Sequence, residues 1–146
     1  MYTKQINYLF VECPSDCSVR TLAFNIFSAI DRAIGSDYLK QATYQRAVAA
    51  SATTTKLKII CMNHHIGLIV IDEIQNAIQT AVKNRQLKPL VKFLVELTNE
   101  TSTGICFCGT MEAEDLFTSQ EHLKRRTRGF RLLPLKYDVT YRKFIT

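Results

Sequence analysis

Two adjacent carboxylates, Asp72 and Glu73, follow directly on an unbroken apolar run, Leu68-Ile69-Val70-Ile71. A short run rich in β-branched residues suits a strand buried on both faces, as in a parallel sheet covered by helices. Acids just past its end sit at the carboxyl edge of that sheet, where open α/β folds bind ligands. That is the form of a Walker B strand, in which the Asp holds Mg²⁺ on a nucleotide and the Glu polarises the attacking water. A buried strand that ends in solvated polar residues is the plain alternative.

The other reactive side chains point to less. The five cysteines, Cys13, Cys17, Cys61, Cys106 and Cys108, are best read as buried free thiols of a reducing, cytoplasmic compartment. Neither Cys13/Cys17 nor Cys106/Cys108 has the two-residue spacing of a zinc ribbon or finger, and no histidine stands at partner spacing. His64 and His65 precede the central strand. A histidine there is expected to face water or a backbone carbonyl rather than to bind metal or act as a base.

The elements that position these residues follow from periodicity. Ile6 to Val11 reads as a first strand, and Ser18 as the N-cap of the clearest helix in the chain. That helix repeats Val19, Leu22, Ala23, Ile26, Phe27, Ile30, Ala33 and Ile34 at three- and four-residue steps and stops at Gly35. Residues 36–52 read as a connector, partly helical. Ser51 to Thr55 supplies capping residues for a second helix with Leu57, Ile60, Cys61 and His64 on one face. After the central strand, a segment from Ile78 to Gln86 precedes a third helix through Leu87, Leu90, Val91, Phe93, Leu94 and Leu97, with Pro89 in its opening turn. Gly104 to Thr110 reads as a third strand buried on both sides, and Met111 to Leu123 as a fourth helix. Phe130 to Leu135 reads as a last strand, followed by a polar tail over residues 136–146. Strands separated by helices require right-handed crossovers. The expected fold is therefore α/β, a three-layer α/β/α sandwich around a mostly parallel sheet, in one domain.

Composition permits this fold and excludes others. With 146 residues, 47% hydrophobic and 22% charged, the chain is long enough for a real core. No apolar run approaches the roughly 18 residues of a membrane helix, and residues 1–5 carry no secretory h-region. The net charge of +6 favours an anionic partner such as nucleic acid or nucleotide.

Taken in order, several stretches resemble the AAA+ ATPase core and, within it, the TnsC/TniB-type regulators of DNA transposition. They are Leu68 to Gln75 (LIVIDEIQ), the helix around Leu90-Val91-Lys92-Phe93-Leu94, the strand ending in Gly109-Thr110, a helix reaching Arg125-Arg126, and Phe130 to Leu135. Val11 to Asp16 followed by Leu22 to Gly35 is similar to the second core strand and its helix. The resemblance implies that Asp72 organises Mg²⁺ through water and that Glu73 orients the water attacking the γ-phosphate of ATP. It implies that Thr110 is the sensor residue and that Arg125 or Arg126 is an arginine finger acting on a neighbouring subunit, hence a homo-oligomeric ring or filament. Its partners would be DNA, bound without sequence preference, and transposase or target-selector proteins, with no membrane. Lys83, Arg85 and Lys88, taken to lie near the carboxylate edge, would supply phosphate contacts.

Each residue also has a structural alternative: a helix-dipole pair for Asp72-Glu73, a helix cap for Thr110, a solvated cationic helix end for Lys124 to Arg128, and solvated lysines and arginines for the rest.

The family pattern is incomplete. None of the glycines Gly35, Gly67, Gly104, Gly109 and Gly129 belongs to a G-x-x-x-x-G-K-[ST] loop, so Walker A is absent. The chain then holds core strands 2 to 5 of the family, with the first strand expected upstream of Met1 and no room for the helical lid after Thr146. In the family's 5-1-4-3-2 sheet the missing strand lies between those expected at 104–109 and 130–135. Either the chain is a fragment, or the last strand moves inward, or another chain fills the gap. The alternative functions are a non-catalytic AAA+ remnant that oligomerises or binds a partner, and another AAA+ clade such as an origin-recognition-like loader.

Overall fold

The computed structural model describes residues 4–44, 50–134, 136–137 and 141–143. Three strands, β1 (Tyr8–Glu12), β2 (Leu68–Asp72) and β3 (Gly104–Phe107), form one sheet in the order β1-β2-β3. Both pairings are parallel, with Phe10 opposite Val70 and Val70 opposite Cys106. The helices are α1 (Val19–Ile34), α2 (Tyr38–Tyr44), α3 (Ala50–Asn63), α4 (Ile74–Lys83), α5 (Leu87–Glu100), α6 (Met111–Ser119) and α7 (Glu121–Lys124). The expected α/β class with a parallel sheet is what forms.

Local chemistry explains the strongest element. The Ser18 hydroxyl accepts the Thr21 N–H at 3.1 Å and so caps α1. Gly35 ends α1 in the left-handed region at φ 73°, its N–H donating to the Asp31 carbonyl at 2.8 Å. Between these caps Leu22, Ala23, Ile26, Phe27 and Ile30 are buried. Asp31 then starts α2: its carboxylate accepts the Ser36 hydroxyl and the N–H groups of Tyr38 and Leu39.

One face of the sheet carries the core. Leu9 and Val11 of β1 and Ile69 and Ile71 of β2 are buried with α1, with Leu57, Ile60 and Cys61 of α3, and with Leu90, Phe93, Leu94 and Leu97 of α5. The opposite face is open. Tyr8 is 68% and Phe10 52% exposed, and Leu68 and Cys106 beside them are exposed as well. The strands therefore alternate in burial although their sequences do not alternate in polarity, which corrects the expectation of burial on both sides for β2 and β3. Among the described residues no strand pairs with the outer edge of β3.

His64 locks the other end of the sheet. Its Nδ1 lies 2.9 Å from the Lys4 carbonyl and its Nε2 2.8 Å from the Tyr38 hydroxyl. A carbonyl only accepts, so Nδ1 carries the proton and Tyr38 donates to Nε2. The structural role expected for a histidine at this position is the one found.

Four boundaries differ from the sequence reading. Helix α3 begins at Ala50 and runs through Ser51 to Thr55, which are helical rather than capping; Thr54 is buried, and packing overrides the low helix propensity of threonine. The residues just before it, 45–49, lie outside the described set. Helix α4 starts at Ile74, immediately after Glu73, and takes in part of the Ile78-to-Gln86 segment, for which no helix was expected. The single helix expected from Met111 to Leu123 breaks at Gln120 into α6 and α7. There the Gln120 N–H closes the last bond of α6 on the Leu116 carbonyl at 3.2 Å, its backbone turns extended (φ −94°, ψ 105°), and its carbonyl then accepts the Leu123 and Lys124 N–H groups that open α7. The strand expected over Phe130 to Leu135 does not form across 130–134, and Leu135 lies outside the described residues. Pro134 lacks a donor, and Arg131 is drawn aside to Glu114 at 2.8 Å. Phe130 and Leu132 are left 87% and 90% exposed.

Candidate functional site

The carboxyl edge of the sheet gathers three of the residues singled out above. Asp72 ends β2 and is half-buried, while Glu73 is exposed. The Asp72 carboxylate accepts the Glu73 N–H at 2.9 Å through one oxygen. Glu73 adopts φ 56°, ψ 36°, a left-handed conformation that a side chain makes costly, and α4 starts at the next residue. Backbone strain of this kind is characteristic of sites where orientation matters more than stability.

The turn is braced from both sides. From β1, the Cys13 N–H donates to the Asp72 carbonyl at 3.0 Å, and the Asn76 amide donates to the Cys13 carbonyl at 2.8 Å. From β3, the Cys108 N–H donates to the Ile71 carbonyl at 2.8 Å and the Cys108 carbonyl accepts the Ile74 N–H at 3.1 Å. Thus the two backbone bonds of Cys108 straddle Asp72 and Glu73.

Gln75, to which the sequence reading assigned no role, joins the pieces. Its side chain is buried; the amide Nε2 donates to the Glu73 carboxylate, and Oε1 accepts the Thr110 N–H at 3.2 Å. A Cβ on Gly109 would lie 2.5 Å from that Oε1 and 3.1 Å from Ile74 Cγ2, so only glycine leaves room for the bridge. The signal was present in sequence as a Gln two residues after the Glu and a Gly just before the Thr. Thr110 stands at the N-cap position of α6, but its side chain makes no capping bond and is exposed. The hydroxyl is therefore not spent on the helix.

The remaining basic residues are not brought to this edge by any contact. Arg125 and Arg126 follow α7 and line a surface cleft of about 480 Å³ with Glu121 and His122. Arg125 pairs with Glu121 at 3.5 Å, both side chains exposed. Arg126 is more firmly held, donating to Asn99 Oδ1 and to the His122 carbonyl, each at 3.0 Å. Lys83 ends α4, Arg85 sits in the turn at φ 56°, and Lys88 lies in the first turn of α5. All three are exposed, with no polar partner among the described residues. Ten helical residues, about 15 Å of α4, separate Lys83 from Glu73.

Cysteine burial divides. Cys13, Cys17 and Cys61 are buried and free, as expected, whereas Cys106 is exposed and Cys108 half-buried. The Cys13 thiol is pushed up by its hydrogen bond to Cys17, by burial and by the charge of Asp72; the same bond lowers Cys17. Partial burial, then the neighbouring Cys106 and the charge of Asp72, pushes Cys108 up.

A family model described as an AAA domain matches residues 2–117, a span that holds β1 through most of α6 and the whole Asp72, Glu73, Gln75 and Thr110 arrangement. The chain belongs to the AAA-domain family. A search of curated proteins returned no match. The matched span ends before Arg125 and Arg126, which keep only the support of the resemblance. The family uses nucleotide and Mg²⁺ in general, and the hard oxygen donor of Asp72 at a sheet edge is chemically suited to that ion through water. The glycine-rich loop that cradles phosphate has no counterpart in the 146 residues. Among the described residues, no helix is long and apolar enough to cross a membrane.

Proposed function

We propose that this AAA domain supplies the cation-and-water half of an ATP-hydrolysing site in a transposition regulator of the TnsC/TniB type. The observation that carries the reading is the Gln75 bridge, which joins Glu73 to the Thr110 backbone across adjacent parallel strands. ATP and Mg²⁺, when bound, would supply the phosphoryl group and the neutralisation of its charge. Asp72, whose carboxylate also accepts the Glu73 N–H, would hold the ion through water. Glu73 would orient and polarise the attacking water, and the Thr110 hydroxyl, which makes no capping bond, would contact that water or the γ-phosphate. Gln75 acts as a positioning residue that keeps Glu73 and Thr110 in register. Arg125, paired with the exposed Glu121 and with no other side chain among the described residues, can reach a neighbouring subunit as the finger; Arg126 is held to its own chain.

The phosphate-cradling loop comes from outside these 146 residues, and the outer edge of β3, which no strand pairs among the described residues, supports a strand added there. The solvated Lys83, Arg85 and Lys88 contact DNA phosphates without base preference.

The test joins a strand–P-loop–helix segment to the chain and measures ATP binding and turnover. ATP binding with turnover is expected, and Glu73→Gln keeps the binding and abolishes the turnover; unchanged turnover removes Glu73 from its role. Micromolar affinity of the 146-residue chain alone for Mg-ATP, by calorimetry, would overturn the half-site reading. The absence of a P-loop sequence favours a second reading, a non-catalytic protein that binds a full-length AAA+ partner. It is the reading that survives if the joined protein binds no nucleotide.

A further inference from the structure

The open face of the sheet carries one chemical feature that the nucleotide reading does not use. Cys106 lies in β3 and Cys108 directly follows its last residue, so their side chains leave on the same side. Their Sγ atoms are 3.9 Å apart, with Cys106 exposed to solvent. Two thiols at this distance on a strand edge form a dithiol within reach of a small oxidant. Cys108 is also the residue whose two backbone bonds, to the Ile71 carbonyl and the Ile74 N–H, straddle Asp72 and Glu73.

We propose that Cys106 and Cys108 are a reversible oxidation site, closed to a disulfide by hydrogen peroxide, and that closure loosens the Asp72-Glu73 turn. The thiolate of the exposed Cys106 attacks the peroxide, forming an S–O bond as the O–O bond breaks. The Cys106 proton leaves with the departing oxygen as water. The Cys108 sulfur then attacks the sulfenic sulfur, forming the S–S bond, and the hydroxyl departs as a second water with the Cys108 proton. Two electrons pass from the thiols to one molecule of hydrogen peroxide.

Geometry gives the step its consequence. Residues i and i+2 of a strand have Cα atoms about 6.4–6.8 Å apart, at the upper limit a disulfide spans. Closure therefore shortens the strand end at Cys108 and pulls on both bonds that brace the turn. A bridge under such tension is readily reduced, the property of a regulatory rather than a structural disulfide.

The proposal stands apart from the nucleotide reading, because its test uses the chain alone and no ATP. The chain is treated with one equivalent of hydrogen peroxide, alkylated, and digested with trypsin. The peptide from Phe93 to Lys124 holds both cysteines and no other. It is expected to lose two hydrogens and exclude the alkylating reagent, and to recover both with a reductant. Amide hydrogen exchange at Cys108 and Ile74 is expected to speed up on oxidation and return on reduction. Cys106→Ser and, separately, Cys108→Ser should abolish the exchange response. Oxygen addition on Cys106 with Cys108 still alkylated overturns the disulfide. A disulfide that leaves exchange at Cys108 and Ile74 unchanged overturns the coupling to the turn.

Discussion

Gln75 Oε1 accepts the Thr110 N–H at 3.2 Å, tying the first turn of α4 to the start of α6 across the end of the sheet. The same amide holds the Glu73 carboxylate, so one buried side chain fixes two exposed ones. Gly109 makes the approach possible. Gly109→Ala should lower stability by about 1–3 kcal/mol through overpacking, read from urea unfolding. Because the clash is with Gln75 and Ile74, adding Gln75→Ala should recover part of the loss, and a double-mutant cycle measures how much. Additive losses would mean that the two residues do not meet.

Glu73 sits at φ 56°, and the cost belongs to its backbone. Glu73→Ala and Glu73→Gly both remove the carboxylate and differ only in that cost. The glycine variant should be more stable than the alanine variant by about 1 kcal/mol, visible as a higher urea midpoint. Equal midpoints would show that the turn is not held in this conformation.

Asp31 connects α1 to α2 by accepting three hydrogen bonds, from Ser36, Tyr38 and Leu39. Asp31→Ala leaves the two backbone donors without this partner and should cost about 1–3 kcal/mol. Asp31→Asn, which keeps one acceptor oxygen, should cost less. Faster amide exchange at Tyr38 and Leu39 in the alanine variant locates the effect.

Alkaline pH should act through Cys61. Burial pushes its thiol up from 9.0 to about 12. Above pH 9 the unfolded chain gives up this proton while the folded chain keeps it, so the folded state binds more protons and stability falls as pH rises. The slope from this group is about 1.4 kcal/mol per pH unit and flattens as pH reaches the folded value. Unfolding of the chain and of Cys61→Ala, compared between pH 8 and 11, should diverge in slope by that amount. Parallel curves would remove Cys61 as the cause.

What could be read in the sequence was whatever local chemistry decides. Helix α1 was legible from end to end because its stripe, Ser18 and Gly35 all act within a few residues. The Leu68-to-Glu73 strand and its acids were legible for the same reason, and so was the strand order once the family was in view. The open face was not. Tyr8, Phe10 and Cys106 are as apolar as the residues opposite them, and whether a layer covers them is a property of the assembly rather than of the strand. The Gln75 bridge joins residues 35 apart, so no local window contained both ends. The break at Gln120 escaped because a single residue turns extended there, and side-chain periodicity does not register one backbone angle.

The parallel pairing of β1 with β2 has a kinetic consequence. Every rung from Tyr8 to Glu12 joins a residue sixty positions further along, and the Lys4–His64 contact spans the same distance. During synthesis α1 and α2 leave the ribosome long before β1 has any strand to pair with. Closing so long a loop costs entropy before a single ladder bond is made, and topologies of this kind fold slowly for their size. The sheet starts only when Leu68 to Asp72 arrives beside a waiting β1, and the strand that carries the candidate carboxylates is the one to which β3 is then added.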